Sequence, residues 1–170
     1  MARFKEIAPE ELVEAPFKLI WKDWMLVTAG GIDSFNTMTA NWGGLGELWF
    51  KRVCYVVVRP SRYTYEFMER GDVFTLTFFD QKYRDALNIC GAKSGRDIDK
   101  VKETGLTPVA SEAGGVYFDE ARIVLECKKI YFQDINPSNF LDDSIKEGYP
   151  DSDYHRLYIG EILRCMVREQ

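Results

Sequence analysis

Short apolar runs, several of them alternating with threonine, form the clearest pattern along the chain. Residues 73–79 (VFTLTFF) alternate threonine with apolar side chains, which is typical of a strand with two different faces. Residues 53–58 (VCYVVV) are continuously apolar and rich in β-branched side chains, which predicts a strand buried on both faces. Similar patterns predict further strands over residues 24–30, 35–42, 121–132 and 155–167, the third being one strand or two joined by a bend.

Capping and turn residues between these runs predict three helices. Ser61 or Thr64 is suited to cap a helix that runs to residue 70, and Asp80 to cap one that runs to residue 89. A third, shorter helix is predicted to begin over residues 94–101 and to stop near Gly105. The remaining elements are a leading helix at 9–13, loops at 43–52 and 134–153 with a helical turn near 140, a hairpin turn at Gly114-Gly115, and a bulge at Gly160.

Strands dominate this order, and the helices are inserted between them rather than alternating with them. No strand is followed by a GxGxxG turn, which argues against a Rossmann fold. The pattern therefore predicts an antiparallel β-barrel with inserted helices, and a length of 170 residues suits one domain over residues 1–170.

Charge and composition narrow the function classes. The net charge is −5 with no basic cluster, which argues against a nucleic-acid or anionic-membrane surface. No apolar run is long enough to span a bilayer, and residues 1–6 lack an apolar leader, so we expect a soluble, cytoplasmic protein. None of the four cysteines lies in a CxxC pair, which favours buried thiols. A single histidine excludes a His-rich metal site, and no metal is expected.

The stretch NTMTANW, residues 36–42, carries the most suggestive chemistry. In an extended strand Thr37, Thr39 and Asn41 share one face, while Met38, Ala40 and Trp42 share the other. Hydroxyl and amide groups suit a polar ligand, and the following Gly43-Gly44 permits close approach of a flat one. Taken alone, the same seven residues equally describe an ordinary edge strand.

Cations follow the buried strand and the second predicted helix. Arg59 and Arg62 come directly after residues 53–58, and Lys93 lies in the glycine-rich turn GAKSGR. Guanidinium groups and a turn that precedes a helix both favour phosphate. Each arginine alone is also typical of an exposed surface charge, and we expect Arg62 to be exposed.

Four separated segments, NTMTANW, VVRPSRYT, LNICGAKSGRDIDK and HRLYIGEI, together resemble the flavin reductase-like, flavoredoxin-type proteins. The resemblance covers about residues 17–168. It implies a Greek-key split β-barrel that binds FMN non-covalently, as a homodimer with the flavin near the subunit interface. Many relatives have a proline where this chain has Phe50-Lys51-Arg52.

The resemblance also implies site residues. His155 is the implied catalytic residue, close to the flavin or the entering nicotinamide. The implied FMN-binding residues fall in three groups: Thr37, Met38, Thr39, Ala40, Asn41, Trp42 and Lys51 at the flavin; Arg59, Arg62, Tyr63 and Thr64 at the phosphate or ribityl chain; Asn88, Lys93, Ser94 and Gly95 closing the site.

Two functions fit this resemblance. In the first, NAD(P)H transfers hydride to the flavin, so the chain is an NAD(P)H-dependent flavin reductase. In the second, bound FMN carries electrons between redox proteins, as in a flavoredoxin. A flavin-binding module without turnover is a third alternative. In each case the cofactor performs the redox chemistry, and the protein supplies orientation and electrostatics.

Overall fold

A computed structural model describes residues 2–169, which contain ten β-strands and three α-helices. The strands are β1 (Phe4–Ile7), β2 (Met25–Gly31), β3 (Ser34–Ala40), β4 (Gly43–Leu48), β5 (Lys51–Val58), β6 (Val73–Phe78), β7 (Pro108–Ala110), β8 (Val116–Phe118), β9 (Ile123–Asp134) and β10 (Arg156–Arg168). The helices are α1 (Tyr63–Arg70), α2 (Arg84–Ala92) and α3 (Lys100–Thr104).

Eight strands form one antiparallel sheet in the order β3-β2-β6-β9-β10-β5-β4, with β1 also paired to β10. β10 is the organising strand, since β9 lies along one edge while β5 and β1 share the other. The edge strands β3 and β4 are separated in sequence only by Asn41-Trp42. The sheet is therefore a split barrel, which confirms the predicted mainly-β antiparallel fold.

Apolar side chains fill two layers, one on each face of the central strands. Val27, Phe74, Leu125 and Tyr158 belong to the barrel interior, where each is at most 1% exposed. On the opposite face, Leu26 and other apolar residues pack between the sheet and α2, in a cluster that also holds Leu87, Cys90, Phe118 and Val124. Residues 25–29 of β2 and 123–127 of β9 are thus buried on both faces. Burying one such side chain stabilises the fold by about 1.5–3 kcal/mol.

All four cysteines are buried and free, as predicted. Cys54 and Cys127 lie side by side in the barrel interior with their sulfurs 3.4 Å apart. Gly160, the predicted bulge, coincides with a register shift between β9 and β10. A Cβ at Gly160 would lie 2.6 Å from the Phe74 ring, so a glycine is needed there for packing.

The prediction of a loop over residues 43–52 was wrong. Gly43–Leu48 is strand β4, paired residue by residue with β5. Its glycines and polar residues hide the alternation that identifies a strand. Trp49 and Phe50 form the hairpin tip with φ of 54° and 60°, a left-handed conformation usually taken by asparagine and glycine.

Several element bounds also differ from the predictions. The third helix, Lys100–Thr104, stops at Gly105 as predicted but begins later than residue 94, because the Asp99 side chain accepts from the backbone N–H of Lys102 and caps it there. β3 ends at Ala40, and residues 134–153 include short 3₁₀ turns at Pro137–Asn139 and Asp143–Gly148. Strand β1 and a π-helical turn at Lys18–Asp23 were not predicted. The hairpin at Gly114-Gly115 is confirmed by the pairing of β7 with β8.

None of the helices within residues 2–169 has the length and apolar character that crossing a membrane requires.

Candidate functional site

The residues that the sequence analysis singled out meet where β3 ends, β5 ends and β10 begins. A cavity of about 220 Å³ lies there, which we call the His155 cavity. Its lining combines the end of β3 and the two residues after it with two arginines and the histidine: Met38, Thr39, Ala40, Asn41, Trp42, Val57, Arg59, Arg62 and His155.

The threonine hydroxyls of β3 turn away from the barrel interior and bond to protein groups. Thr39 Oγ1 donates to the Leu87 carbonyl of α2 at 2.5 Å. Thr37 Oγ1 lies 2.8 Å from Thr28 Oγ1, and Thr37 is only 2% exposed. Met38 and Ala40 pack inside the barrel, so the predicted alternation of faces is confirmed. These hydroxyls dock β3 onto its neighbours.

The main chain of β3, in contrast, has one open edge. β3 pairs only with β2, and the Thr37 carbonyl points away from β2 to accept from Lys100 Nζ at 2.7 Å. Because N–H and C=O groups alternate sides along an antiparallel strand, the Thr39 main chain faces the same open edge. Unpaired backbone groups at the His155 cavity are suited to hydrogen-bond a flat polar ligand.

A second, smaller space adjoins the first. It measures about 120 Å³, and we call it the Arg62–Lys100 pocket. Its lining is rich in cations, hydroxyls and glycines: Asn36, Ser61, Arg62, Tyr63, Thr64, Gly91, Ala92, Lys93, Ser94, Gly95 and Lys100. Only a glycine fits at Gly95, because a Cβ there would lie 2.0 Å from Asn36 Oδ1. Arg62 lines both spaces and separates them.

Arg62 and Lys100 bond to the last carbonyls of α2. Arg62 Nη1 donates to the Gly91 carbonyl at 2.9 Å and Nη2 to the Cys90 carbonyl at 3.2 Å. Lys100 Nζ donates to the Cys90 carbonyl at 2.9 Å as well as to Thr37. Helix carbonyls at a C-terminus lack helical partners and carry partial negative charge, so they favour cations. One ammonium N–H and several guanidinium N–H groups remain for a ligand.

Burial lowers the pKa values of Arg62 and Lys100, but both side chains remain charged at neutral pH. Burial lowers the pKa of Lys100 to about 8, a shift that Cys90 opposes and Arg62 reinforces. Burial also lowers the pKa of Arg62, and it raises the pKa of the Cys90 thiol to about 11. Near neutral pH Arg62 and Lys100 are therefore both cations next to a neutral thiol, which suits a phosphate.

His155 is buried at the other end of the site. Its Nδ1 lies 2.8 Å from the Tyr149 hydroxyl, and its ring lies 5.2 Å from that of Trp42. Burial is the main cause that lowers the pKa of His155 to about 4; Arg59 also lowers it, and Asp153 opposes them. The imidazole is therefore neutral at physiological pH.

An apolar groove of about 570 Å³ continues from the His155 cavity past Trp42, and we call it the aromatic groove. Phe17 and Trp21 line it with 89% and 67% of their surface exposed. Tyr55 from β5 forms its other wall. Large exposed aromatic side chains beside a cleft are typical of a surface that is covered by a ligand or another protein chain.

The structure brings most of the predicted site residues together. Met38, Thr39, Ala40, Asn41, Trp42, Arg59, Arg62 and His155 line the His155 cavity, while Tyr63, Thr64, Lys93, Ser94 and Gly95 line the pocket beside it. Thr37 is buried behind the cavity, and Asn88 is exposed on α2. Lys51 is apart from all of these, at the far end of β5 from Arg59, where it pairs with Glu161 at 2.8 Å.

The sequence analysis missed two residues, Lys100 and Tyr149. Lys100 in the sequence DIDK has the local pattern of a solvated helix residue, and only the tertiary fold buries it. Tyr149 lies in a segment without periodicity, so nothing local indicates its bond to His155. Arg62 was predicted to be exposed, which was wrong, since its guanidinium is partly buried against the end of α2.

Comparison with known proteins identifies related folds. Residues 20–170 match the family model described as "Flavin reductase like domain". Flavoredoxin of Desulfovibrio vulgaris (Miyazaki F) superposes with a TM-score of 0.68 at 25% identity, over 97% of this chain and 77% of that one. No curated protein sequence matches the chain.

Two further solved structures share the fold. One is an FMN-binding domain of flavin reductase-like enzymes from Shewanella baltica, with a TM-score of 0.70 and 18% identity over 98% of this chain and 78% of that one. The other is an NADH:FAD oxidoreductase of Streptomyces globisporus in complex with NAD and FAD fragments, with a TM-score of 0.64 and 18% identity over 86% and 77%.

Proposed function

The chain belongs to the flavin reductase-like family, and on that premise we propose that it is an FMN-binding oxidoreductase reduced by NADH or NADPH. The observation that carries the proposal is the pair of adjoining spaces on either side of Arg62. One is small and cationic, and the other is bounded by a tryptophan, a histidine and an open strand edge. A ligand with a phosphate at one end and a flat polar ring at the other fits both.

The phosphate of FMN suits the Arg62–Lys100 pocket. Both cations are oriented by α2 carbonyls before any ligand arrives, which lowers the entropic cost of binding. Lys93 and the Ser94 hydroxyl add donors at the rim. FAD carries a diphosphate and adenosine in place of a terminal phosphate, so a small pocket of about 120 Å³ favours FMN.

The isoalloxazine ring suits the His155 cavity. Main-chain groups of β3 and the Asn41 amide are positioned for its polar edge, while Trp42 offers an aromatic surface. The flavin supplies the redox chemistry, accepting hydride from the nicotinamide. The chain binds and orients the ring, and because burial lowers the pKa of His155 to about 4, His155 does not act as a charged imidazolium acid at physiological pH.

We also propose a homodimer in which the second subunit covers the aromatic groove. Phe17, Trp21 and the hairpin-tip Phe50 are 89%, 67% and 97% exposed, a large apolar area for an isolated chain. Light scattering of the FMN-loaded protein at micromolar concentration is expected to give twice 19.7 kDa. A mass of one chain would contradict the dimer without affecting the proposed cofactor.

A flavoredoxin-like electron carrier is the second candidate, because flavoredoxin of Desulfovibrio vulgaris shares this fold at 25% identity. The reductant that reduces the bound flavin distinguishes this candidate from the first. We propose that the reaction takes place in the cytoplasm, where four free thiols stay reduced.

Two measurements test the proposal. Flavin released by heat and separated by chromatography is expected to be FMN; mostly FAD, or no flavin after saturation with FMN, would overturn it. In the absence of oxygen, NADH or NADPH is then expected to reduce the bound flavin rapidly, which is seen as bleaching of its visible absorption. Bleaching only by a reduced redox protein would favour the electron carrier instead.

A further inference from the structure

Tyr149 and His155 form a buried pair joined by a hydrogen bond that either residue could donate. The Tyr149 hydroxyl and His155 Nδ1 are 2.8 Å apart, and either atom can donate. The residues are 6% and 9% exposed. Among residues 2–169 no other side chain bonds to the Tyr149 hydroxyl, which the backbone N–H of His155 also approaches, and Nε2 of the imidazole has no hydrogen-bond partner. The direction of this bond therefore decides which ring nitrogen carries the proton.

The chemistry of the two groups selects one direction. An imidazole nitrogen is a stronger acceptor than a phenol oxygen, so the stronger bond is donated by the Tyr149 hydroxyl to Nδ1. The reverse bond also leaves the phenol proton of a buried tyrosine without an acceptor. With Tyr149 as donor, the proton of neutral His155 is on Nε2, on the far side of the ring from Tyr149.

Tyr149 is held in this position from several sides. The Arg59 guanidinium lies 4.9 Å from the centre of the Tyr149 ring and donates to the Gly148 carbonyl at 2.7 Å. Phe140 stacks on the tyrosine ring at 6.1 Å, and the backbone N–H of Ile135 donates to the His155 carbonyl at 3.0 Å. The hydroxyl is thus preorganised against Nδ1, at low conformational cost.

The charged groups around His155 keep the ring neutral. Arg59, from the end of β5, opposes a proton on the imidazole, and Asp153 from the preceding loop favours one. Asp153 is itself engaged by the Ser61 hydroxyl at 2.5 Å, and no carboxylate among residues 2–169 bonds to the ring. Burial therefore dominates, and the ring faces the cavity uncharged.

We propose that Tyr149 is a positioning residue that fixes His155 as the neutral Nε2–H tautomer, so that His155 donates a hydrogen bond to a carbonyl-type acceptor of the molecule bound in the His155 cavity. The identity of that molecule rests on the proposed function, whereas the tautomer does not. His155 thereby joins Arg59 and Arg62 in a lining whose charged and imidazole groups all donate. These three side chains favour a hydrogen-bond acceptor at their end of the cavity.

The experiment uses the fact that His155 is the only histidine. In flavin-free protein labelled with ¹⁵N-histidine, NMR reports a single imidazole, and we expect an unprotonated Nδ1 and a protonated Nε2 at neutral pH. Tyr149→Phe is expected to shift both nitrogens toward the averaged values of mixed tautomers. Tyr154→Phe is the matched control, since it removes a hydroxyl from a ring 4.9 Å from Tyr149 that does not bond to His155.

A protonated Nδ1 in the unmodified protein, or an unchanged spectrum in Tyr149→Phe, overturns the inference. Saturation with FMN then tests the donor role: we expect the Nε2 signal to move, and reduction of bound FMN by NADH to slow about two- to tenfold in Tyr149→Phe. An Nε2 signal that does not move when FMN or NADH is added overturns the donor role. Failure of FMN to bind, with the tautomer as expected, contradicts the proposed function alone.

Discussion

Lys100 and His155 lie on opposite sides of Arg62 and are almost equally buried, at 7% and 9% exposure, yet they differ in charge. The pKa of Lys100 falls to about 8 and that of His155 to about 4, so at neutral pH the first is a cation and the second is not. Burial is the main cause in both. A lysine starts from a much higher pKa, and here it also gains two carbonyl acceptors.

The comparison shows how one site holds a charged lysine at one end and a neutral imidazole at the other, within a single ligand's length. At the Arg62–Lys100 pocket the main chain of α2 supplies negative dipoles, which retain the cations. At the His155 cavity the nearest side chains are Tyr149, Trp42 and Arg59, and none of them stabilises a charged imidazole. The following predictions test each side of that contrast, from the largest effect to the smallest.

Arg62→Ala is expected to have the largest effect, because Arg62 belongs to both spaces. Loss of a charge-assisted contact should weaken FMN binding about ten- to a hundredfold. Without flavin, the free energy of unfolding should also fall by about 1–3 kcal/mol, because the Cys90 and Gly91 carbonyls lose a donor. Fluorescence titration and urea unfolding measure the two effects.

Arg70→Ala is the control for that variant. Arg70 is on the exposed end of α1 and pairs only with Glu66, so FMN affinity and stability should both stay close to those of the unmodified protein. Unchanged FMN affinity in Arg62→Ala would remove this arginine from the site.

Lys100→Met tests the Arg62–Lys100 pocket by the pH dependence of FMN affinity. The Lys100 ammonium is present below its pKa of about 8 and lost above it, so FMN affinity should fall as pH rises from 8, by up to about tenfold per pH unit. Lys100→Met should bind FMN weakly throughout and lose this slope. Riboflavin, which has no phosphate, is the matched ligand: a similar slope for riboflavin would show that Lys100 does not act on the phosphate.

Thr39→Val tests whether the Thr39 hydroxyl holds β3 against α2 or binds the ligand. The Thr39 hydroxyl donates to the Leu87 carbonyl, so its removal should lower the free energy of unfolding of the flavin-free protein by about 0.5–1.5 kcal/mol. FMN affinity should change less than stability. Thr77→Val is the control, because the buried Thr77 hydroxyl has no partner among residues 2–169 and its loss should leave stability equal or higher. Equal destabilisation of both variants would contradict the assigned bond.

Arg59→Gln is expected to have the smallest effect. Removing this charge should raise the pKa of His155 from about 4 only part of the way toward 6.5, since burial is the larger cause. An NMR titration of the single imidazole measures it. A pKa that returns fully to 6.5 would mean that the arginine, and not burial, keeps the ring neutral.

The fold could be predicted largely from apolar periodicity, and the site only in part. Strands such as β6, with alternating threonines, were evident, whereas glycine-rich β4 has no pattern to read. Candidate site residues in short motifs, such as Arg62, were located by their chemistry. Their partners were not, because the Cys90 and Gly91 carbonyls are main-chain groups that no residue type encodes. Lys100 and Tyr149 depend on contacts made only after folding.

The position of β10 has a consequence for how the chain reaches this structure. β10 follows every other strand in sequence, yet β9, β5 and β1 all pair with it, with Phe4 opposite Arg168. During synthesis from the N-terminus, the sheet cannot close until β10 has emerged, and the backbone N–H and C=O groups of β5 and β9 that pair with β10 stay unpaired until then. The nascent chain is therefore most prone to aggregation just before its last strand is made.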